Sequence, residues 1–345
     1  MRARHRSVMK LGCISLALAL AASSAAAADA SPEAARTKAL LAYQHDLVSV
    51  LAPRADAMPL LGAALLARPL PRQPKYNDFH TLIERAAQAP DSTPAVQWAR
   101  LVDCDTKAKT CPNSEALRAL TDTAADNAAV WLIKLAADTA DNKGDAARDD
   151  LHRAATAKLY DDYTGSALKA LASTAGTLPA PADAIDPTAS AGPYGVQVVL
   201  VYGVAGLLPQ PQPGMQAAAR MCADGKDDAA LKTDCLQLAK VLEWGSSPLA
   251  RSLGLHLRET LADDPAEQAA ARTERANLTW QVQNFARLSD RAPQDKALAQ
   301  HLLALARNGG TEMSLVLAAL RDAGIPADAP DAAAASATSA APAAQ

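Results

Sequence analysis

The sequence predicts an all-α protein, and three observations support this. Alanine, the best helix former, accounts for 84 of the 345 residues. Aromatic residues make up only 3% of the chain, and β-branched residues are too scarce for a sandwich or barrel. Leucines recur at helical spacing, as in Leu249, Leu253, Leu257 and Leu261. Such narrow amphipathic stripes predict packed helical hairpins, stacked as an α-solenoid or as an irregular array.

The N-terminus has the three parts of an export signal. Four basic residues lie within the first ten positions, and twelve apolar residues follow at 11–22. Small residues at 26, 28 and 30 then provide cleavage sites. We interpret 1–30 as a signal peptide, with a periplasmic or secreted mature chain that starts at Asp29 or Ser31. Cys13 lies near the start of the apolar stretch instead of following it, which argues against a lipid anchor.

The N-terminal helical region, 31–176, shows helical periodicity broken by Pro, Gly and Asp. Its helices are predicted at 38–52, 60–67, 79–89, 94–103, 113–125, 128–141, 145–158 and 161–173. A Pro-rich loop at 177–193 follows.

The C-terminal helical region, 194–325, opens with the apolar run 195–208, which is too short to span a membrane. A buried helix is favoured over a strand there, because no partner strand is visible. Further helices are predicted at 228–243, 248–262, 266–288, 295–308 and 311–323. The segment 326–345 has only Ala, Ser, Thr, Pro, Asp and Gln, which predicts a disordered tail.

Four cysteines follow the predicted signal peptide, an even number that favours disulfides in an exported chain. They form two close pairs along the sequence, so local bonds are predicted between Cys104 and Cys111 and between Cys222 and Cys235. A zinc site is the alternative, but these spacings are longer than zinc motifs use and no His lies in either loop.

Two tryptophans lie in similar surroundings 33 residues apart. Trp98 occurs in TPAVQWARLV and Trp131 in DNAAVWLIKL, each in a predicted helix that a second helix follows. This period resembles the tetratricopeptide repeat over about two units, 94–160. The resemblance implies an α-solenoid, structural roles for both tryptophans, and a protein-binding concave surface formed by the first helix of each pair. The alternative is that both are core residues of ordinary helices.

Several short patterns were considered as catalytic or metal sites. Ser166 and Lys169 form S-x-x-K, but the companion motifs of penicillin-binding enzymes are absent from the sequence. His256 and Glu259 share one helix face, yet no further ligands accompany them. The segment 160–163, YDDY, suggests either a recognition patch or a helix N-terminus with one inward Tyr. No catalytic, cofactor or metal residue is predicted.

The charge composition argues against one class of function. Lys plus Arg number 34 against 37 Asp plus Glu, and no basic block exists, which argues against nucleic-acid binding. We expect an exported helical-repeat protein that binds a protein or peptide without catalysis. The alternatives are an exported enzyme, or a small-ligand or cell-wall-associated binding protein, with its site in a helical cleft.

Overall fold

The computed structural model describes residues 31–71, 73–104, 111–206 and 212–330. Within these ranges the chain forms fifteen α-helices and no β-strand, which confirms the all-α prediction. The predicted signal peptide and residues 331–345 lie outside the described chain. The helices are α1 (Pro32–Leu51), α2 (Ala57–Ala67), α3 (Phe79–Gln88), α4 (Pro94–Arg100), α5 (Ser114–Thr123), α6 (Ala128–Ala140), α7 (Gly144–Thr156), α8 (Thr164–Ala175), α9 (Pro193–Ala205), α10 (Gln212–Asp224), α11 (Ala229–Glu243), α12 (Pro248–Leu261), α13 (Pro265–Arg291), α14 (Lys296–Asn308) and α15 (Glu312–Asp322).

Short polar residues begin many of these helices. The Thr311 hydroxyl accepts a hydrogen bond from the backbone N–H of Ser314 at 3.0 Å and so caps α15. Gly324, with φ of 70°, follows that helix. Side-chain oxygens cap other helices in the same way, because the first backbone N–H groups of a helix have no partner within it. These caps are Ser31, Asp78, Asn113, Asn127, Asp228, Asp264 and Asp295.

Helix α10 has no counterpart in the sequence prediction, since Pro213 and Gly214 lie in its first turn. The glycine is required by packing. A Cβ added to Gly214 would lie 2.3 Å from the backbone oxygen of Leu132 in α6. The missing side chain therefore lets the backbones of α6 and α10 approach closely. The apolar run 195–208 forms the helix α9 as favoured, as far as the described chain extends.

Two hydrophobic cores hold most of the molecule together. The first is built mainly from α1, α2, α3, α8, α9, α14 and α15. The second is built from α6, α7, α10, α11 and α12. A smaller cluster joins α4 and α5 through Leu101, Ala116, Leu120 and Ala124. The chain therefore passes repeatedly between the two main cores.

The Pro-rich loop predicted at 177–193 does not separate the two cores. That segment is a connection containing a short 3₁₀ turn, Ala182–Ala184. Helices on both sides of it contribute to both main cores, so the regions 31–176 and 194–325 are not separate folding units.

The start of the predicted disordered tail also differs from expectation. The backbone oxygen of Pro326 accepts a hydrogen bond from Trp280 Nε1 at 2.9 Å. The backbone N–H of Ala329 donates to Asn277 Oδ1 at 2.9 Å. Residues 326–329 therefore lie against α13, held by polar contacts that a scan for large apolar residues does not detect.

Candidate functional site

The hairpin of α6 and α7 is closed by a partly buried ionic cluster. The ammonium of Lys134 donates to Asp138 Oδ2 at 2.7 Å and to Asp150 Oδ1 at 3.0 Å. The Asp150 side chain is fully buried, and its burial raises the pKa to about 6 despite the nearby Lys134. The hydrogen bond from Lys134 lowers the pKa of Asp138. One cation thus joins two carboxylates from the two helices.

The hairpin of α10 and α11 is closed covalently instead. Cys222 and Cys235 are disulfide-bonded with a Cα–Cα distance of 5.8 Å, as the sequence predicts. The bond lies between the end of α10 and the middle of α11, and both cysteines are buried in the second core.

These two hairpins lie side by side in the same orientation. Arg148 of α7 forms an ion pair with Asp228 at the start of α11. One turn further along α7, His152 Nδ1 lies 3.0 Å from Asp234 Oδ1. The two pairs are separated by 80 and 82 residues in sequence, so α7 and α11 run parallel. Their hairpin partners α6 and α10 then also run parallel.

The paired hairpins share a sequence pattern that the 33-residue spacing did not reveal. The turn of the first hairpin reads ADNKGDAA at 140–147, and that of the second reads ADGKDDAA at 223–230. Six of the eight positions are identical. The offset of 83 residues agrees with the spacing of the ion pairs. Because α8 and α9 intervene, a search for periods of 20 to 50 residues misses this similarity.

A groove of about 660 Å³ lies between α6 and α10. Helix α6 contributes Ala136, Thr139 and Ala140. Its other wall and floor come from Gln216, Ala217, Arg220, Met221, Asp224, Gly225 and Leu231. We call this feature the α6–α10 groove. It combines small side chains, which leave the space open, with Met221 and Arg220, which offer an apolar and a cationic contact.

Trp131 lies in the second core. Its side chain is 6% exposed, and its Nε1 donates to the backbone oxygen of Ala125 at 2.8 Å. The guanidinium of Arg153 from α7 covers the ring at 4.8 Å from its centroid. The environment is that of a core anchor shared by the two helices of the hairpin.

Trp98 has a different environment from Trp131. It lies near the end of α4, a helix of 7 residues against 13 in α6. Its ring is 5.7 Å from the ring of Tyr163. Together with Arg68 and Asp162 these two rings line a small cleft of about 40 Å³. The correspondence of the two tryptophans in a tetratricopeptide-like repeat stays a prediction.

The segment 160–163 is packed mainly inward. Tyr160 and Asp162 are buried, and Tyr163 adopts a left-handed φ of 56° just before α8. Asp162 Oδ1 accepts a hydrogen bond from the buried hydroxyl of Ser246 at 3.1 Å. The backbone N–H of Ser246 donates to the backbone oxygen of Tyr160 at 3.1 Å. This segment therefore fixes the turn between α11 and α12.

A further carboxylate lies beside this buried cluster. Burial, reinforced by repulsion from Asp162, raises the pKa of Glu312 to about 7. The backbone N–H of Met313 donates to the Ser246 oxygen at 2.9 Å, which brings the start of α15 to the same turn. No sequence pattern singled out Glu312, because its neighbours are distant along the chain.

The short catalytic patterns do not form a common site. Glu259 ion-pairs with Arg275 of α13 at 3.0 Å, whereas His256 is exposed. Ser166 and Lys169 lie within α8, and the Lys169 side chain packs against Gly309. Among the described residues there is no group of three or more His, Cys, Asp or Glu that could hold a metal ion.

The remaining predicted pair, Cys104 and Cys111, is also disulfide-bonded, with a Cα–Cα distance of 5.5 Å. It spans the connection between α4 and α5, of which residues 105–110 lie outside the described chain. In the described ranges no helix has both the length and the hydropathy needed to cross a bilayer.

Comparison with known proteins adds no relative. The chain matches no known protein family, no curated protein and no solved structure.

Proposed function

We propose that this protein is exported and binds another protein or a peptide through the α6–α10 groove. The observation that carries the proposal is the groove itself, an open volume of about 660 Å³ lined by the first helices of two parallel hairpins. First-helix surfaces are where the resemblance to tetratricopeptide repeats places a binding face.

The walls of the groove are cross-linked to their neighbours, which favours recognition of a partner segment. The ion pair of Lys134 with Asp150 holds α6 to α7, and the disulfide of Cys235 holds α11 to α10. The close approach at Gly214 fixes the distance between α6 and α10. A groove that is formed before binding avoids the entropic cost of ordering its walls.

Export is proposed from the N-terminal sequence and is consistent with the two disulfides. Disulfides form and persist in oxidising compartments and are rare in the cytosol. N-terminal sequencing of the mature chain tests this part, since a retained 1–30 segment would contradict it.

A pair of exposed alanines allows a sharp test of the groove. Ala140 lines it, whereas Ala276 lies on α13 away from it, and both are exposed helical residues. A partner captured from periplasmic extract is purified, and its affinity is measured by calorimetry. Ala140→Arg should weaken binding about tenfold or more because the new side chain fills the groove, whereas Ala276→Arg should not.

Equal affinities for both variants would contradict the α6–α10 groove as the binding face. The absence of any saturable protein partner would contradict the protein-binding function itself.

A further inference from the structure

The small cleft beside Trp98 combines apolar walls with a buried charge. Its lining comes from α2, α4 and the start of α8, and its volume is about 40 Å³. We call it the Trp98 cleft. Leu61 and Leu65 of α2 line it together with the rings of Trp98 and Tyr163. The space is enough for about three water molecules, so it suits a small chemical group.

Asp162 supplies the charge that lines this cleft. Its side chain is buried, and its Oδ1 accepts hydrogen bonds from the Ser246 hydroxyl at 3.1 Å and from the Thr164 N–H at 3.3 Å. Its Oδ2 is also buried but has no hydrogen-bond partner among the described residues. A buried carboxylate oxygen without a partner is costly, so Oδ2 is the atom that a donor entering the cleft would bind.

The surroundings of Asp162 favour a positively charged donor. Arg68 also lines the cleft, but its guanidinium lies over the ring of Phe79, 4.9 Å from the centroid, and Phe79 does not line the cleft. Burial and repulsion from Asp162 raise the pKa of Glu312 to about 7, and no described basic side chain opposes this rise. A cation in the cleft would therefore reduce repulsion between carboxylates.

The aromatic wall is held in place before any ligand binds. Tyr163 has a left-handed φ of 56°, which is rare for an aromatic residue and typical of binding sites when it occurs. Asp161 Oδ1 accepts from its N–H at 2.8 Å, and Asn127 Nδ2 donates to its hydroxyl at 3.3 Å. These bonds keep the ring 5.7 Å from that of Trp98. The faces of Trp and Tyr rings attract cations.

The lining selects among cations. A metal ion would need several oxygen ligands, and Asp162 is the only carboxylate in the described lining of the cleft. A primary ammonium group on a short alkyl stem fits better. Its N–H groups bond to Asp162 Oδ2, its charge contacts the rings, and its stem packs against Leu61 and Leu65.

We propose that the Trp98 cleft binds a primary alkylammonium group. The group has two sources, the end of a lysine side chain of a partner protein or a free small amine. No described residue lines both this cleft and the α6–α10 groove, so the proposal is independent of what the groove binds.

NMR of the full mature protein tests the proposal. Its four tryptophans give four indole N–H signals, and Trp98→Phe identifies the signal of Trp98. Propylammonium chloride should shift this signal saturably, with a Kd of about 1 mM for so few heavy atoms. Neither 1-propanol, which has the same size without charge, nor sodium chloride at equal concentration should shift it.

Two neighbouring carboxylates provide the matched variants. Asp162→Asn removes the charge from the cleft and should weaken the binding of propylammonium about tenfold or more. Asp161→Asn is the control, because Asp161 does not line the cleft, and it should bind like wild type. If Asp162→Asn does not fold, Ala167→Leu decides, since Ala167 lines the cleft and the larger side chain should fill it and abolish binding.

A capped Gly-Lys-Gly peptide and its Nε-acetylated form distinguish the sources. Binding of the unmodified peptide alone indicates a protein lysine, whereas binding of propylammonium without either peptide indicates a free amine. The proposal is overturned if propylammonium causes no saturable shift or if 1-propanol shifts the signal equally. It is also overturned if Asp162→Asn binds like wild type or if Asp161→Asn loses as much.

Discussion

Single buried polar residues connect distant segments of this molecule. Asn127 accepts hydrogen bonds from the N–H groups of Ala129, at the start of α6, and of Asp161, after α7. Its Nδ2 donates to the Asp161 oxygen. One amide thus caps a helix and holds the chain that returns beside it. The sequence shows a polar residue before a helix, but the contact with Asp161, 34 residues away, has no local pattern.

Truncation to alanine should affect the free energy of unfolding strongly at Trp131 and little at Trp244. Trp131→Ala removes a buried ring and leaves a cavity in the second core, so the free energy of unfolding should fall by about 3–5 kcal/mol. Trp244→Ala removes an exposed ring and should change it by less than about 0.5 kcal/mol. Thermal and urea melts of both variants measure the difference. A Trp131→Ala variant that melts like wild type would show that the ring is not a core anchor.

The side chains of the S-x-x-K and H-x-x-E patterns should affect stability little. Ser166→Ala and Glu259→Ala should each change the free energy of unfolding by less than about 1 kcal/mol, since Arg275, the partner of the half-buried Glu259, is 41% exposed. A loss of several kcal/mol in either variant would assign it a structural role that its contacts do not suggest.

Glu312 should make stability depend on pH. The unfolded chain releases its carboxyl proton near the ordinary value of 4.5, whereas the folded chain keeps it to about pH 7. The folded state therefore binds more protons between these values, and stability falls as the pH rises through this window. Glu312→Gln should reduce this slope, most clearly above pH 6 where Asp150 has already released its proton, and be more stable than wild type at pH 8, by about 2 kcal/mol.

Urea melts from pH 4.5 to pH 8 measure the effect. Glu267→Gln, at an exposed position in the first turn of α13, serves as the control and should keep the wild-type slope. If Glu312→Gln kept that slope too, another group would be responsible for it.

At the scale of the element, sequence patterns along a single helix predict where that helix begins and ends. They do not predict a helix whose residues are explained only by contact with another helix. Helix α12 was predicted to within one residue because Pro248 begins it and leucines recur every four residues. Helix α10 was missed because Pro213 and Gly214 indicate a break when read alone. Only the backbone of α6 at Leu132 explains the glycine, and that neighbour is remote in sequence.

Two glycine substitutions separate packing from helix propensity. Gly214→Ala places a methyl group against the Leu132 carbonyl and should lower the free energy of unfolding by about 1–3 kcal/mol. Gly144→Ala, in the first turn of α7 with nothing within 4 Å of the added Cβ, should raise it by up to about 1 kcal/mol. Denaturant melts compare them. Two stabilised variants would contradict the close approach of α6 and α10.

At the scale of the whole molecule, the Pro-rich segment 177–193 separates two helical regions along the sequence. Both hydrophobic cores nevertheless contain residues from each region. Leu82 and Leu302 belong to the first core, and Leu132 and Leu238 to the second, although each pair spans that segment. Stripes of Ala and Leu show which face of a helix is buried. They do not show against which other helix, because such side chains pack with many partners. The sequence therefore does not predict that α6 and α10 lie side by side and form a groove.

The halves on either side of this segment should not fold alone. Fragments 31–176 and 194–330 each lack helices that complete both cores, so neither should show a cooperative thermal transition in circular dichroism. Full-length protein cut within 177–193 should keep its helicity, with both pieces eluting together. A cooperative melt of either isolated fragment would contradict the interleaved cores.

The interleaving also fixes when folding becomes possible. A chain that emerges from a ribosome or a membrane channel delivers α1, α2 and α3 first, yet their core partners α14 and α15 arrive last. The first core therefore cannot be completed before the final helices appear, whereas the second core needs nothing beyond α12. The order of delivery thus delays closure of the first core until almost the whole chain has emerged, which keeps its helices α1 to α3 open to unfolding for longer than the rest.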